Sequence, residues 1–463
     1  MAEFFYNGFS GLDLSTEQTA QSQVSFLRCN NFVLNRKFGA LLKRGGSKHY
    51  TISGNCWGIG GYSVASASLS FPSGYVPITH YRNGSVSSFY SYDWVNDDVT
   101  AIDLGANTSF GAGGIASFCQ TGSMLAILAG KPAKWSSITG DIERLGGDAP
   151  TAALTSAAGI AGALTGTFRY VYTYYDASNG WESSPSPIST EVTVSSKKID
   201  LSVIGGSPAR DGTWTKRIYR TQLTNEEPFY YVTEISSATT TYTDNIGDES
   251  LGVEAPDIGD QSPPPTTSYL GESHVGRFWI VSGNSVYYSN EYVNSTNALE
   301  YYSEARKFSY NQNITGIKSC PRLGGLLIFR PPGFGIDIIR GNNETEFRSE
   351  ELYREEGTHF GQSISVKNDL VAYWGASGPQ VLVNGRIQEN FNQRVANLLR
   401  GYEYHDYNEA IFVWSVWHEE SQQFLFGFSA GDSASTLWSQ VGSNLVINWE
   451  DSITGDLATW EEV

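Results

Sequence analysis

Short runs of alternating apolar and polar residues, separated by Gly, Asn, Ser and Pro, make up most of this chain. The clearest run begins at residue 166, where Phe168, Tyr170, Tyr172 and Tyr174 occupy every second position. Successive side chains of a strand point to opposite faces, so these four aromatic residues should share one face. Period-two alternation of this kind predicts a β-strand with a buried aromatic face.

Further short strands are predicted after this run, each bounded by Gly, Ser, Asn or Pro. They cover residues 191–194, 199–203, 214–221, 229–234 and 241–243. This density of strands is typical of a β-sandwich of the fibronectin type III kind. The small-residue stretch 152–163 and the proline run 262–266 are interpreted as linkers on either side of it. Because the chain has the same pattern before and after the sandwich, the sandwich is predicted to be an insertion.

The rest of the chain repeats a strand–turn–strand pattern in units of roughly forty residues, the size of a propeller blade. The predicted fold class is therefore all-β, a β-propeller with an inserted fibronectin type III-like sandwich, and only residues 392–400 are read as a helix. Four segments are predicted: an N-terminal arm with the first strands (1–54), an N-terminal propeller part (55–150), the inserted sandwich or platform (151–265) and a C-terminal propeller part (266–463).

Composition supports a strand-rich fold and excludes several classes of protein. The 463 residues include 49 Gly, 27 Tyr and 12 Trp but only two Met, as expected for many strands and turns. No apolar run is long enough for a membrane helix, and residues 1–20 lack the pattern of a secretory signal. Cys29, Cys56, Cys119 and Cys320 are far apart, so they are interpreted as small buried hydrophobic residues.

The formal charge of −18 is unevenly distributed along the sequence. Residues 221–276 contain ten acids and residues 401–463 contain eleven, and neither stretch has a Lys or Arg. Residues 28–48 contain no acid and six cations: Arg28, Arg36, Lys37, Lys43, Arg44 and Lys48. Such segregation favours subunits that meet positive to negative, or a lumen lined by one sign of charge. The six cations are therefore the candidate site, an inter-subunit contact.

Three sets of residues invite a catalytic or cofactor-binding interpretation, and each has a simpler one. The acids of residues 344–356 could supply a glycosidase pair, but Arg348 and Arg354 lie among them, which favours surface salt bridges. The glycines of 58–61 and 111–114 lack the Gly-Lys-Ser/Thr ending of a phosphate loop and are interpreted as turn residues. The six His residues have no metal-ligand spacing. The predictions are no enzyme activity, no cofactor and no metal.

A series of weak motifs carries a family resemblance. It begins with Met124-Leu-Ala-Ile-Leu-Ala-Gly-Lys-Pro-Ala-Lys-Trp135 and continues through the Tyr-rich sandwich, which ends at Arg217-Ile-Tyr-Arg-Thr221. Arg277-Phe-Trp and Leu326-Leu-Ile-Phe329 follow, in the same order. The sequence resembles the tail nozzle proteins of short-tailed bacteriophages, also called tail hub, tubular B or DNA-stabilisation proteins.

The resemblance implies a structural virion protein that is assembled in the host cytoplasm and located in the tail. Six copies would form a ring below the portal and adaptor, continue the DNA channel, retain packaged DNA until ejection and support tail fibres or spikes. Genomic DNA would pass through the lumen without sequence-specific binding, since acidic walls repel phosphates. The alternative interpretation, suggested by the aromatic residues and paired acids, is a glycan-binding or glycan-cleaving β-propeller of a virion or cell surface.

Overall fold

The structure is a computed structural model of the chain. It describes residues 116–388, except 137–140, 211, 224–227, 258, 293–295 and 377, and outside that range it describes the separate strands whose bounds follow. The regular elements of these residues are β-strands and short 3₁₀-helices, with no α-helix among them. The predicted helix at 392–400 lies outside the described residues.

The strands before the sandwich are β1 (Gly11–Leu12), β2 (Ser25–Phe26), β3 (Phe32–Asn35), β4 (Ala40–Lys43), β5 (Asn55–Ser63), β6 (Tyr75–Asn83), β7 (Val86–Asp93), β8 (Asp98–Ile102), β9 (Ser117–Thr121), β10 (Met124–Ala129), β11 (Lys131–Trp135) and β12 (Glu143–Arg144). Those of the sandwich are β13 (Thr155–Phe168), β14 (Tyr170–Asp176), β15 (Trp181–Glu182), β16 (Val192–Ser202), β17 (Thr215–Arg220), β18 (Tyr230–Ser236) and β19 (Tyr242–Asp244).

The strands that follow are β20 (Leu270–His274), β21 (Arg277–Ser282), β22 (Ser285–Tyr288), β23 (Lys307–Ser309), β24 (Gly316–Cys320), β25 (Gly325–Phe329), β26 (Ile336–Arg340), β27 (Arg348–Tyr353), β28 (Ser365–Lys367), β29 (Leu370–Gly375), β30 (Gly378–Val383), β31 (Arg386–Ile387), β32 (Phe412–His418), β33 (Gln423–Ser429), β34 (Asn444–Asn448) and β35 (Thr459–Glu462). The 3₁₀-helices are Asp248–Ser250, Thr296–Glu300, Pro321–Leu323 and Gly361–Ser363.

In the described part of the chain, six sheets each contain four strands that pair in chain order: β5–β8, β9–β12, β20–β23, β24–β27, β28–β31 and β32–β35. This is the form of a propeller blade. Middle strands of these sheets are buried on both faces, as β10 and β25 show, because each sheet is covered on two sides. The predicted all-β class with blade-type repeats is confirmed, and β3 and β4 form a further antiparallel pair.

The residues between the second and third of these sheets form two further antiparallel sheets with one shared core. One sheet has the order β13-β16-β19 and the other the order β15-β14-β17-β18. Phe168, Tyr170, Tyr172 and Tyr174 all lie in that core, next to Trp181, so the predicted aromatic face is confirmed. A fibronectin type III-like identity for this part stays a prediction.

Two details of the predicted sandwich are wrong. Residues 152–163, interpreted as a linker, instead contain the first part of the long strand β13, which pairs with β16. Gly159 and Gly162 allow neighbouring residues to approach β13 closely. A Cβ at these positions would lie 2.7 Å from Asp200 Oδ2 and 2.4 Å from Asn245 Oδ1, respectively. The strands predicted at 191–194 and 199–203 are one strand, β16, with Ser196 at a positive φ of 52° where the register shifts.

An extended segment that contains two prolines closes the free edge of β14. Three serines in it each exchange two hydrogen bonds with a tyrosine of β14, the backbone N–H of the serine donating to the carbonyl and the tyrosine N–H donating to the hydroxyl. The pairs are Ser183 with Tyr174, Ser186 with Tyr172 and Ser189 with Tyr170. Proline has no N–H and cannot continue a ladder of backbone hydrogen bonds. The serine hydroxyls instead accept hydrogen bonds from the backbone N–H groups at this edge of β14.

The chain forms two compact units, one of Cys56–Ser309 and the other of Met1–Asn55 with Tyr310–Val463. The first contains the two sandwich sheets together with the blade-type sheets on either side of them in sequence. The four predicted segment boundaries stay predictions.

Candidate functional site

A buried carboxylate joins the sandwich to a blade-type sheet. Glu300, at the end of the 3₁₀-helix Thr296–Glu300, accepts hydrogen bonds from Lys134 Nζ at 2.8 Å, Arg210 Nη1 at 2.5 Å and the Gly146 N–H at 3.0 Å. Lys134 belongs to β11 of a blade-type sheet, and Arg210 lies between β16 and β17 of the sandwich. We call Lys134, Asp176, Arg210 and Glu300 the buried junction.

The buried junction balances its charges internally. Arg210 also forms an ion pair with Asp176 of β14 at 3.3 Å, so two cations face two anions, and all four side chains are at most 4% exposed. Burial by itself would raise the pKa of Glu300, but Lys134 and Arg210 outweigh it and hold that pKa below its usual value. Burial likewise opposes charge on Arg210, yet Glu300 and Asp176 raise its pKa. Glu300 and Arg210 therefore stay charged at neutral pH.

Close packing reinforces the buried junction. The Arg210 guanidinium lies over the Trp181 ring, 4.6 Å from its centroid, where cation–π attraction holds it. A Cβ at Gly147 would lie 2.7 Å from Trp181 Cη2, and one at Gly146 would lie 2.9 Å from Pro264 Cδ. The proline run that was interpreted as a linker is thus packed, with Pro264 buried.

The face of the four-stranded sandwich sheet that is turned away from the core carries a second polar cluster. Glu182 accepts hydrogen bonds from Thr173 Oγ1 at 2.6 Å, Tyr219 OH at 2.5 Å and Arg217 Nη1 at 3.0 Å. Arg217 also lies 3.2 Å above the centroid of the Tyr175 ring. Burial, followed by Glu182, raises the pKa of Tyr219, so its phenol remains a hydrogen-bond donor. Arg217 thus covers one face of the Tyr175 ring while it pairs with Glu182.

Next to that cluster is a groove of about 280 Å³. Its apolar lining includes the buried side chains of Val171 and Phe229, together with Pro185, Pro228 and Pro256. Glu254 and Asp257 also line it, and both are exposed. We call this feature the sandwich groove. Its lining thus combines an apolar interior with two exposed carboxylates.

Ion pairs within the fold neutralise much of the acid-rich run 221–276. Asp244 and Asp248 both pair with Arg220, whose side chain is fully buried. In the same run, Glu234 pairs with Arg217, and Asp260 pairs with Arg306. Hence four acids of this run are paired with cations inside the fold.

The predicted candidate site lies almost wholly outside the described residues. Of its six cations, Lys43 belongs to strand β4, while Arg28, Arg36, Lys37, Arg44 and Lys48 are not described. Their role in an inter-subunit contact stays a prediction. Sequence reasoning missed both the buried junction and the sandwich groove, because their members are spread over residues 134–300 and 171–257, respectively, and share no motif.

The other candidate residues are placed as follows. Glu350 pairs with Arg340 and Arg348, and Glu351 pairs with Arg354, so the salt-bridge interpretation is confirmed for these two acids of the cluster. The glycines of 58–61 lie inside β5 rather than in a turn, because pairing within the sheet overrides their weak strand propensity. Those of 111–114 lie outside the described residues.

The described residues contain no group of three or more His, Cys, Asp or Glu side chains arranged to hold a metal ion. They also include no helix with the length and apolar character needed to cross a membrane. Cys119 and Cys320 are buried and unbridged, as predicted, whereas the side chains of Cys29 and Cys56 are not described.

No protein-family model matches the sequence, and no curated protein matches it. Among solved structures, the chain is similar to Hsv2p of Kluyveromyces lactis, with 8% identity and a TM-score of 0.28 over 83% of this chain and 93% of that one. It is also similar to apo AztD from Citrobacter koseri, with 12% identity and a TM-score of 0.24 over 77% and 90%. The tricorn protease matches with 11% identity and a TM-score of 0.22 over 86% and 48%. TM-scores this low carry no argument about what this chain does.

Proposed function

We propose that this protein is a structural subunit of a virion tail, a nozzle or hub protein that forms a ring below the portal and adaptor. In this role six copies continue the DNA channel, retain packaged DNA until ejection and support tail fibres or spikes. The proposal rests on the order of motifs that resembles the tail nozzle proteins of short-tailed bacteriophages.

One structural observation supports it most. The buried junction fixes the sandwich to a blade-type sheet through Glu300, Lys134 and Arg210 instead of leaving it on flexible linkers. A module held in this way transmits force without bending, which is what a subunit that bears pressurised DNA and attached fibres requires. Buried ion pairs fix geometry more than they add stability, so such a junction suits a part whose orientation matters.

Electron microscopy of the full chain, alone and with its cognate portal and adaptor proteins, tests the proposal. The expected result is a ring of six copies that has an axial opening and binds the adaptor. A stable monomer that joins neither protein would overturn it. A parallel incubation with host surface polysaccharide tests the glycan alternative, for which binding or shortening of the polysaccharide chains is the positive result.

A further inference from the structure

The acids of the run 221–276 that have no partner in the described part of the chain gather mainly at one place. Glu234, Asp244, Asp248 and Asp260 are each held by an arginine. Glu254 and Asp257, by contrast, are exposed and make neither an ion pair nor a side-chain hydrogen bond among the described residues. Both line the sandwich groove.

The sandwich groove combines this unpaired negative charge with an apolar interior. Val171 and Phe229 are 0% and 6% exposed, and they belong to a small cluster on the outer face of the four-stranded sheet. Pro185, Pro228 and Pro256 line the groove as well. Prolines restrict the backbone, so the groove is already formed before an occupant binds. Binding then costs little free energy for ordering the groove.

The chemistry of the occupant follows from this lining. It should offer apolar side chains to the interior and cations to Glu254 and Asp257. The segment 28–48 of this sequence has that composition, because Phe38, Leu41 and Leu42 lie between two pairs of adjacent cations and no acid occurs in it. A cation on a long apolar stem, as in Lys and Arg, can satisfy both requirements at once.

We propose that the sandwich groove binds the cationic segment 28–48 of a second copy of this chain. The two complementary surfaces differ from one another, so the contact is heterologous, and repeated contacts of this type close into a ring when the rotation allows. The inference rests on the proposed function and adds to it the contact by which neighbouring subunits meet.

Charge exchange in a mixture of two variants tests whether the contact forms between copies. The groove variant carries Glu254→Lys with Asp257→Lys, and the segment variant carries Lys43→Glu with Arg44→Glu. Each variant alone should self-associate at least about tenfold more weakly than the unmodified chain, because like charges then face each other. Mixing the two variants should restore association, since the groove of each would then match the segment of the other.

A matched control reverses the charge of two exposed acids that do not line the groove. Asp141→Lys with Glu249→Lys changes the net charge by the same amount as the groove variant and should leave self-association within about twofold, since rim charges outside a contact contribute little. Native mass spectrometry and sedimentation velocity measure association, and circular dichroism verifies that each variant is folded. The association of the unmodified chain should weaken with added salt.

The outcomes separate this inference from the proposed function. If the unmodified chain assembles and the groove variant assembles equally well, the groove contact is wrong while the ring proposal stands. If neither variant assembles and the mixture does not either, the pairing of the groove with the segment 28–48 is excluded. If the unmodified chain is a monomer under all conditions, both proposals fall. If assembled rings form through the groove but bind no adaptor, only the proposed function fails.

Discussion

Arg210 Nη1 donates a 2.5 Å hydrogen bond to Glu300 Oε2, although 90 positions separate the two residues in the sequence. Arg210 comes from the sandwich, and Glu300 comes from the segment between β22 and β23 of a blade-type sheet. Because both side chains are almost fully buried, neither can find a replacement partner in water. The two parts of this unit are therefore expected to unfold together.

Replacing Glu300 tests the buried junction. In Glu300→Gln, Arg210 keeps Asp176 as its buried partner, whereas Lys134 keeps only the partly exposed Glu143. We expect the free energy of unfolding to fall by about 3–5 kcal/mol, the usual cost of breaking a buried ion pair. Chemical denaturation followed by tryptophan fluorescence measures it.

Glu304→Gln is the matched control for that experiment. Glu304 lies four positions further along the chain, its side chain is 79% exposed, and it pairs with Lys307 at 2.5 Å. Loss of an exposed pair should change stability by less than about 1 kcal/mol. Equal effects of the two substitutions would contradict a special role for Glu300.

Adding a methyl group at Gly147 tests the packing around Trp181. In Gly147→Ala the new Cβ would lie 2.7 Å from Trp181 Cη2, so the ring must shift, and its contact with Arg210 is disturbed. We expect destabilisation of about 1–3 kcal/mol, as is usual for overpacking. Gly205→Ala is the control, because its nearest neighbour is 4.0 Å away, and it should be neutral or slightly stabilising. Thermal unfolding of both variants would show the difference.

Removing a serine hydroxyl tests the closed edge of β14. In Ser186→Ala the buried N–H of Tyr172 loses its acceptor, which is 3.1 Å away in the native fold. An unsatisfied buried donor costs about 1–3 kcal/mol. Hydrogen exchange should show faster exchange at the Tyr172 amide, whereas exchange at the Tyr170 amide, which bonds to Ser189 Oγ, should change less. Uniform exchange across β14 would instead indicate global destabilisation.

The titration of His274 predicts a pH dependence of stability. Burial lowers its pKa from 6.5 to about 4. Between these two pH values the unfolded chain binds the proton and the folded chain does not, so the free energy of unfolding should rise with pH and level off above about 6.5. In His274→Gln this part of the pH dependence should disappear. Denaturation curves at several pH values between 4 and 7 measure it, and an unchanged slope in the variant would contradict the assignment.

The sequence by itself determined the fold class and the position of most strands. Alternation between apolar and polar residues is a local property, and so are the turn residues that end each run, which is why the strands around Tyr172, Trp279 and Phe329 could be predicted from their neighbours alone. The aromatic face of the sandwich is predicted for the same reason, whereas the burial of Cys119 and Cys320 is predicted from their wide spacing and the usual burial of free Cys.

Only the tertiary structure decided which residues meet across long distances. Ala157–Ala163 look like a linker because Ala and Gly have weak strand propensity, yet pairing with β16 makes them part of a strand. The charge of residues 221–276 looks uniformly acidic, but Arg217, Arg220 and Arg306 approach from elsewhere in the sequence and leave Glu254 and Asp257 unpaired at the sandwich groove. Ion pairing and close packing depend on distances in space, which the order of residues along a chain does not encode locally.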